Sequence, residues 1–232
     1  MTPFIDHVAS DNEALFRASE MQVEAFFAAR PSKDALVEHF TGRCVNEYMN
    51  MEEVAQRLVA LNGTASPRLV TQLGKQIFDE ANHFRMVVEV LEHLTGAPVD
   101  TAAMIAEERV RGQAKGATLL EEFAADDALA LYTYQFIAEG RAHRVWARMA
   151  AMIDDDFIAS RYRKIALDEL FHSNIGREAI AELEGDAEAQ ARVRDLAVAM
   201  RRELYEVSCK NTVEVPAARA LFEAAEATPV LH

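Results

Sequence analysis

Apolar residues recur along most of this chain every three to four positions, the period of a helix with one buried face, and roughly seven helical segments and no strand are predicted from it. The first covers about 12–29 and stops before Arg30-Pro31. Ser32 with Asp34 opens a long second segment over about 32–61, which Asn62-Gly63-Thr64-Ala65 breaks. Ser66 as N-cap and Pro67 at the first helical position start a third, which runs to about 94 and stops at Thr95-Gly96-Ala97-Pro98. The stretch 99–125 is less regular and reads as a short helix over about 101–111 followed by a loop around Gly112 and Gly116. A further long helix covers about 126–153, Asp154-Asp155-Asp156 forms a turn and cap, and the next helix reaches about 184. Beyond Gly185-Asp186 come segments over about 187–210 and 217–227.

The four long helices are joined by two short links and, between the third segment and the helix at 126, one long one. Short links force antiparallel neighbours and a long one permits a crossover, so the expected fold is all-α, a four-helix bundle with one crossover connection. The expected organisation is one domain over 1–232, with its core at about 32–184 and flanking helices at 12–29, 187–210 and 217–227.

On these helices a short pattern occurs twice. Asp79-Glu80-Ala81-Asn82-His83 and Asp168-Glu169-Leu170-Phe171-His172 both read Asp-Glu-x-x-His. Each sets a carboxylate and an imidazole three residues apart, on one helix face. Each also has a carboxylate on the helix before it, Glu47 and Glu139 respectively. At 1.5 Å per residue Glu47 lies roughly 22 Å before its turn and Glu80 roughly 20 Å after it. Glu139 and Glu169 are each about 14 residues from theirs, so both pairs match in depth. The facing also agrees. Glu47 falls on the stripe of Phe40, Cys44, Met51, Val54 and Leu58, and Glu139 on that of Tyr132, Phe136, Val145 or Trp146, and Ala150. Leu73, Ile77, Val87 and Val90 or Leu91 bracket Glu80 and His83, and Ile165 and Ile175 bracket Glu169 and His172.

Carboxylates on core stripes are costly unless paired or metal-bound. Four of them with two imidazoles, two helices giving Glu and two giving Glu-x-x-His, form the ligand set of a dinuclear site. Its oxygen-rich chemistry suits iron or manganese better than structural zinc. Asp79 and Asp168 are expected to accept the second ring N–H of a ligand histidine. His143, four residues after Glu139, is read as a core histidine with a satisfied hydrogen bond in preference to a pocket acid/base or an extra ligand. Glu53 is expected on the polar face with Gln56 and Arg57. Tyr48, Tyr132, Tyr134 and Cys44 are read as packing, and Phe84, Phe136 and Phe171 as the walls of a dry pocket.

Composition agrees with helices: half of the 232 residues are hydrophobic, with 9 Gly and 6 Pro. A formal net charge of -14 argues against a nucleic-acid or anionic-membrane partner. Two cysteines without a CxxC pair exclude a disulfide framework and a cysteine metal site. No signal peptide or membrane-length apolar run is visible, so a cytoplasmic protein is expected.

At Glu47, the two Asp-Glu-x-x-His copies and Glu139, the chain resembles the ferritin-like superfamily of di-iron carboxylate proteins. It is most similar to a bacterial oxygen-activating branch: aldehyde-deformylating oxygenases, phenylacetate-degradation oxygenase subunits and the related tRNA hydroxylase. Asp168-Glu-Leu-Phe-His-Ser-Asn-Ile-Gly176 is similar to the fourth-helix motif of the aldehyde-deformylating group. The resemblance implies Glu47, Glu80, His83, Glu139, Glu169 and His172 as metal ligands, with Glu80 and Glu169 as bridges, and two iron ions (Mn/Fe in a variant form) as cofactor. It implies an oxidoreductase that takes O2, a small organic substrate and an external electron donor, working as a monomer or homodimer. The alternatives are an iron-storing or merely iron-binding protein of the same fold, and one subunit of a multicomponent oxygenase.

Overall fold

A computed structural model describes residues 3–61, 63, 65–113 and 128–227. Every regular element among them is helical, so the all-α class holds: α1 (Phe4–Ala28), α2 (Lys33–Ala60), α3 (Pro67–Thr95), α4 (Thr101–Gln113), α5 (Ala128–Tyr134), a π-helical turn (Gln135–Glu139), α6 (Gly140–Met152), α7 (Asp156–Ala181), α8 (Ala187–Asn211) and α9 (Pro216–Glu226). The chain divides into two compact units, one of Pro31–Asp127 and one of Met1–Arg30 with Ala128–His232.

The expected start signals work as local chemistry. Ser32 Oγ accepts from Ala35 N at 3.2 Å and Ser66 Oγ from Leu69 N at 3.1 Å, satisfying amides that the helix leaves over. Asp155 Oδ1 accepts from Phe157 N and Ile158 N at 2.9 and 3.2 Å, and Asp186 Oδ1 from Ala189 N at 3.0 Å. Gly96, at φ 75°, closes α3 in the left-handed conformation that residues with a Cβ adopt at a cost.

In the unit of 31–127, α2 packs along α3 and α4 lies against α2. Its core holds Phe40, Cys44, Val54, Leu73, Val87, Val90 and Leu91. Arg109 of α4 is ion-paired to Glu52 of α2. Helix α4 runs through Gly112 to Gln113, two residues past its expected end; the expected loop at Gly116 lies outside the described residues.

In the other unit α6 packs along α7, and α1 packs on α6, α8 and α9. Arg144 on α6 donates to Glu13 and Glu20 of α1 at 2.6–2.9 Å, and Arg201 of α8 to Glu226 of α9 at 2.9 Å. Helix α1 begins eight residues before the expected start. The residues that extend it, Phe4, Ile5 and Val8, are buried, and the Phe4 amide donates to Glu184 Oε2 at 3.2 Å. Its opening hydrogen bond therefore comes from 180 positions away, where no local capping signal exists to read.

The helix expected over 126–153 is interrupted. Gln135 to Glu139 form a π turn, and all five are buried. Gly140 N–H bonds to Ile137 O instead of Phe136 O, and Ser173 Oγ on α7 donates to Phe136 O at 3.1 Å. The turn sits against α7 at Gly176, where a Cβ would fall 2.2 Å from Tyr132 O and 2.7 Å from Phe136 N. No side chain fits there, so the glycine permits backbone-to-backbone contact beside the turn.

Two glycine substitutions should therefore differ in sign. Gly176→Ala must displace backbone and should cost about 3 kcal/mol or more. Gly74→Ala, on the exposed face of α3 with nothing within 4 Å, should stabilise by about 0.5–1 kcal/mol. Urea denaturation of the two variants checks this, and equal shifts would refute the close contact.

Candidate metal centre

Each unit carries a buried carboxylate–histidine triad. In the unit of 31–127, Glu47 on α2 and Glu80 and His83 on α3 are 2%, 0% and 0% exposed. His83 Nδ1 lies 3.4 Å from Glu47 Oε2 and 3.4 Å from Glu80 Oε2. In the other unit Glu139 ends the π turn and Glu169 and His172 lie on α7, again all buried, with His172 Nδ1 2.9 Å from Glu169 Oε2. Within each triad the ligand atoms lie within 4.8 Å of one another. In both triads Nδ1 is the ring nitrogen turned to carboxylate oxygen. Such buried Glu/His groups can hold a metal ion.

The chain's periodicity explains the placement. Glu80 and His83 are one helical turn apart, as are Glu169 and His172, so each pair projects from one face. On α3 that face also carries Leu73, Met86, Val87 and Val90, and on α7 Ile165, Ile175 and Ile180, all buried. The packing of these neighbours fixes the polar side chains they surround.

Asp79 and Asp168 are buried beside their glutamates, and each is ion-paired to the lysine four residues earlier, Lys75 and Lys164. The repeat is therefore longer than first read: Lys-x-x-x-Asp-Glu-x-x-His in both copies. An acid preceding lysine by four is the order that stabilises a helix better, and here the order is reversed twice. Each pair fixes the aspartate next to the buried glutamate that follows it. The lysines were legible in the sequence at the same offset in both copies.

His143 Nδ1 lies 2.6 Å from Ala166 O, so its expected hydrogen bond is made, but the side chain is half-buried and not in the core. Glu53, expected on the polar face, is buried instead, in one turn with Val54. His39, Arg43 and Gln76 in this unit, and Gln135 and Arg141 in the other, are further buried polar side chains that a search for carboxylates passed over. Arg43 and Gln76 lie four residues before Glu47 and Glu80, and Gln135 four before Glu139, so a scan one turn upstream of each carboxylate finds them. Of the expected pocket walls, Phe84 is half-buried against the Tyr48 ring at 5.3 Å, Phe136 is buried in the π turn, and Phe171 meets the His172 ring at 6.0 Å. A groove of about 450 Å³ between α2 and α4, lined by Asp34, Val37, Glu38 and Met104 among others, includes no triad residue.

Both cysteines are free. Burial, reinforced by the Glu47 charge, pushes the Cys44 thiol up to about 12. Its Sγ lies 3.8 Å from Phe84 O. No helix among the described residues is long and apolar enough to cross a membrane. Comparison with family models, with curated proteins and with solved structures gave no match.

The Cys44 environment predicts its reactivity. A thiol reagent at pH 8 should modify the half-buried Cys209 well before Cys44, and both equally fast in urea. The unfolded thiol ionises near pH 9 and the folded one near 12, so Cys44 contributes stability below pH 9 that is lost as pH rises to about 12. Cys44→Ala should flatten that part of the stability profile. Peptide mapping of alkylated protein and urea melts against pH read the two effects, and a Cys44 that reacts as fast as Cys209 would contradict the burial.

Proposed function

We propose that Glu47, Glu80, His83, Glu139, Glu169 and His172 serve one dinuclear metal centre, in a ferritin-like four-helix bundle built from α2, α3, the α5–α6 helix and α7. The protein is then an oxidoreductase that activates O2 to oxidise a small organic substrate. The observation that carries this reading is the duplicated triad: the same donor set, on the same helix pattern, buried in both units. The residues fit an iron pair, or manganese with iron. Carboxylate oxygens and neutral imidazole nitrogens suit hard, redox-active ions, and no thiolate enters either triad. Six ionisable groups at 0–4% exposure have in such ions the compensation that burial demands.

In this reading Glu47, Glu80, Glu139 and Glu169 would hold the ions together with His83 and His172, and Glu80 and Glu169, the least exposed carboxylates of the two triads, would be the ones shared. When bound, the metal pair supplies the electrons that reduce O2 and the oxidising power that acts on a C–H, N–H or aldehyde group. The chain's own part is to hold the ligands in a dry interior and to fix Asp79 and Asp168 beside them through Lys75 and Lys164. Electrons come from an external donor.

Metal-free protein titrated with ferrous iron under argon should take up about two ions per chain by elemental analysis. With a reductant in air it should then consume O2, and faster when its substrate is present. Glu80→Gln and Glu169→Gln should each lower iron affinity by more than about a hundredfold, beyond what loss of a residue that orients a ligand costs. No uptake would sink the centre, and uptake without O2 consumption would sink the oxygenase. On a sizing column a monomer or dimer is expected; a shell of many subunits with far more iron would identify storage, and a co-purifying partner a multicomponent enzyme.

A further inference from the structure

The outward face of α7 runs against the charge of the chain. The net charge is -14, yet no acidic side chain of α7 is exposed between Asp156 and Glu178. Arg163, Lys164, Leu167, Leu170, Asn174 and Arg177 are exposed there, Leu167 at 63% and Leu170 at 41%. Lys164 pairs with Asp168 and Arg177 with Asp6, while Arg163 has no ion-pair partner among the described residues. At 3.6 residues per turn, this face lies on the side of the helix opposite Glu169 and His172. One helix thickness, roughly 10 Å, therefore separates it from the buried triad of this unit. Phe171, half-buried between the two sides, brings its ring to 6.0 Å from the His172 ring.

We propose that this face of α7 is where the electron donor docks, and that the donor is a small acidic one-electron carrier protein of the iron–sulfur class. This rests on the metal-centre reading above. Two exposed leucines among basic side chains make an apolar centre with a rim of one sign, and charge complementarity selects an acidic partner. A second copy of this chain meeting the same face would set Arg163 against Arg163, so self-association there is opposed. Two leucines and a few charges suit a transient redox encounter, the smallest class of protein interface. The position decides what the partner brings: the face opens on no groove for a substrate, but it backs directly onto a triad histidine. Each reduced carrier gives up one electron and leaves oxidised; the electron reduces one ferric ion to ferrous, and two encounters recharge the pair.

The probe is a plant-type [2Fe–2S] ferredoxin, an acidic one-electron carrier. Its oxidised form is titrated calorimetrically into the full metal-free chain, as wild type, Arg163→Glu, Arg163→Lys and Leu167→Glu. Wild type should bind, and more weakly as salt is raised. Arg163→Glu and Leu167→Glu should each bind at least about tenfold more weakly, and Arg163→Lys within about threefold of wild type. Both sites are exposed, so the variants should melt as wild type does. With iron-loaded, air-oxidised protein under argon, the two glutamate variants should oxidise reduced ferredoxin at least about tenfold more slowly at low carrier concentration. Their reduction by dithionite should be unchanged. Wild type that neither binds nor oxidises the carrier, glutamate variants that bind it as well as wild type does, or variants equally slow with dithionite would overturn the proposal. So would a homodimer that Leu167→Glu dissociates, which would make the face a self-contact. Wild type that takes up no iron would overturn the metal-centre reading itself, a result separate from carrier binding by the metal-free chain.

Discussion

The cost of hiding charge from water governs this protein. Each unit encloses two glutamates and a histidine in its interior. Buried carboxylates are tolerated where neighbouring dipoles and charges meet them. His83 stands against both glutamates of its triad and His172 against Glu169. Lys75 and Lys164 meet the adjacent aspartates, and the long apolar faces of α3 and α7 exclude solvent around them. The triad residues lie mid-way along their helices, several turns from any frayed end.

The π turn shows how a local backbone change serves this placement. An extra residue within the helix rotates everything after it relative to everything before it, so the turn resets which side chains face inward. It falls on Gln135–Glu139 and ends at the glutamate of this unit's triad. The hydrogen bonding it disturbs is repaired from α7, where Ser173 serves the Phe136 carbonyl. The same helix then offers Gly176, whose missing side chain lets the two backbones meet. Ser173 lies one residue and Gly176 four residues beyond His172, so the triad histidine and the support of the turn share one helix.

Much of this was legible beforehand, for identifiable reasons. Helix boundaries set by local chemistry, such as those at Ser32, Ser66, Gly96 and Asp155, could be read because the capping groups are sequence neighbours. The start of α1 could not, because Glu184 caps it from the far end of the chain. The triads were legible because a three-residue spacing on an apolar stripe has one geometric meaning in a helix. The π turn was not: the apolar period continues across it, and five successive inward residues have no signature distinct from a well-buried helix. Glu53 and Arg141 were misplaced or missed because a charged residue near a boundary of the stripe is assigned to water by default, and only packing reveals otherwise.

The duplicated Lys-x-x-x-Asp-Glu-x-x-His would make the two halves interchangeable if it stood alone. It does not. Glu47 rides on an uninterrupted α-helix and Glu139 on a π turn, and the buried arginines stand at different offsets, Arg43 four residues before its glutamate and Arg141 two after. A repeated motif on unequal backbones is a broken symmetry. The two copies can share an ancestry and a ligand chemistry and still present unlike surroundings, which is the condition for dividing labour between them.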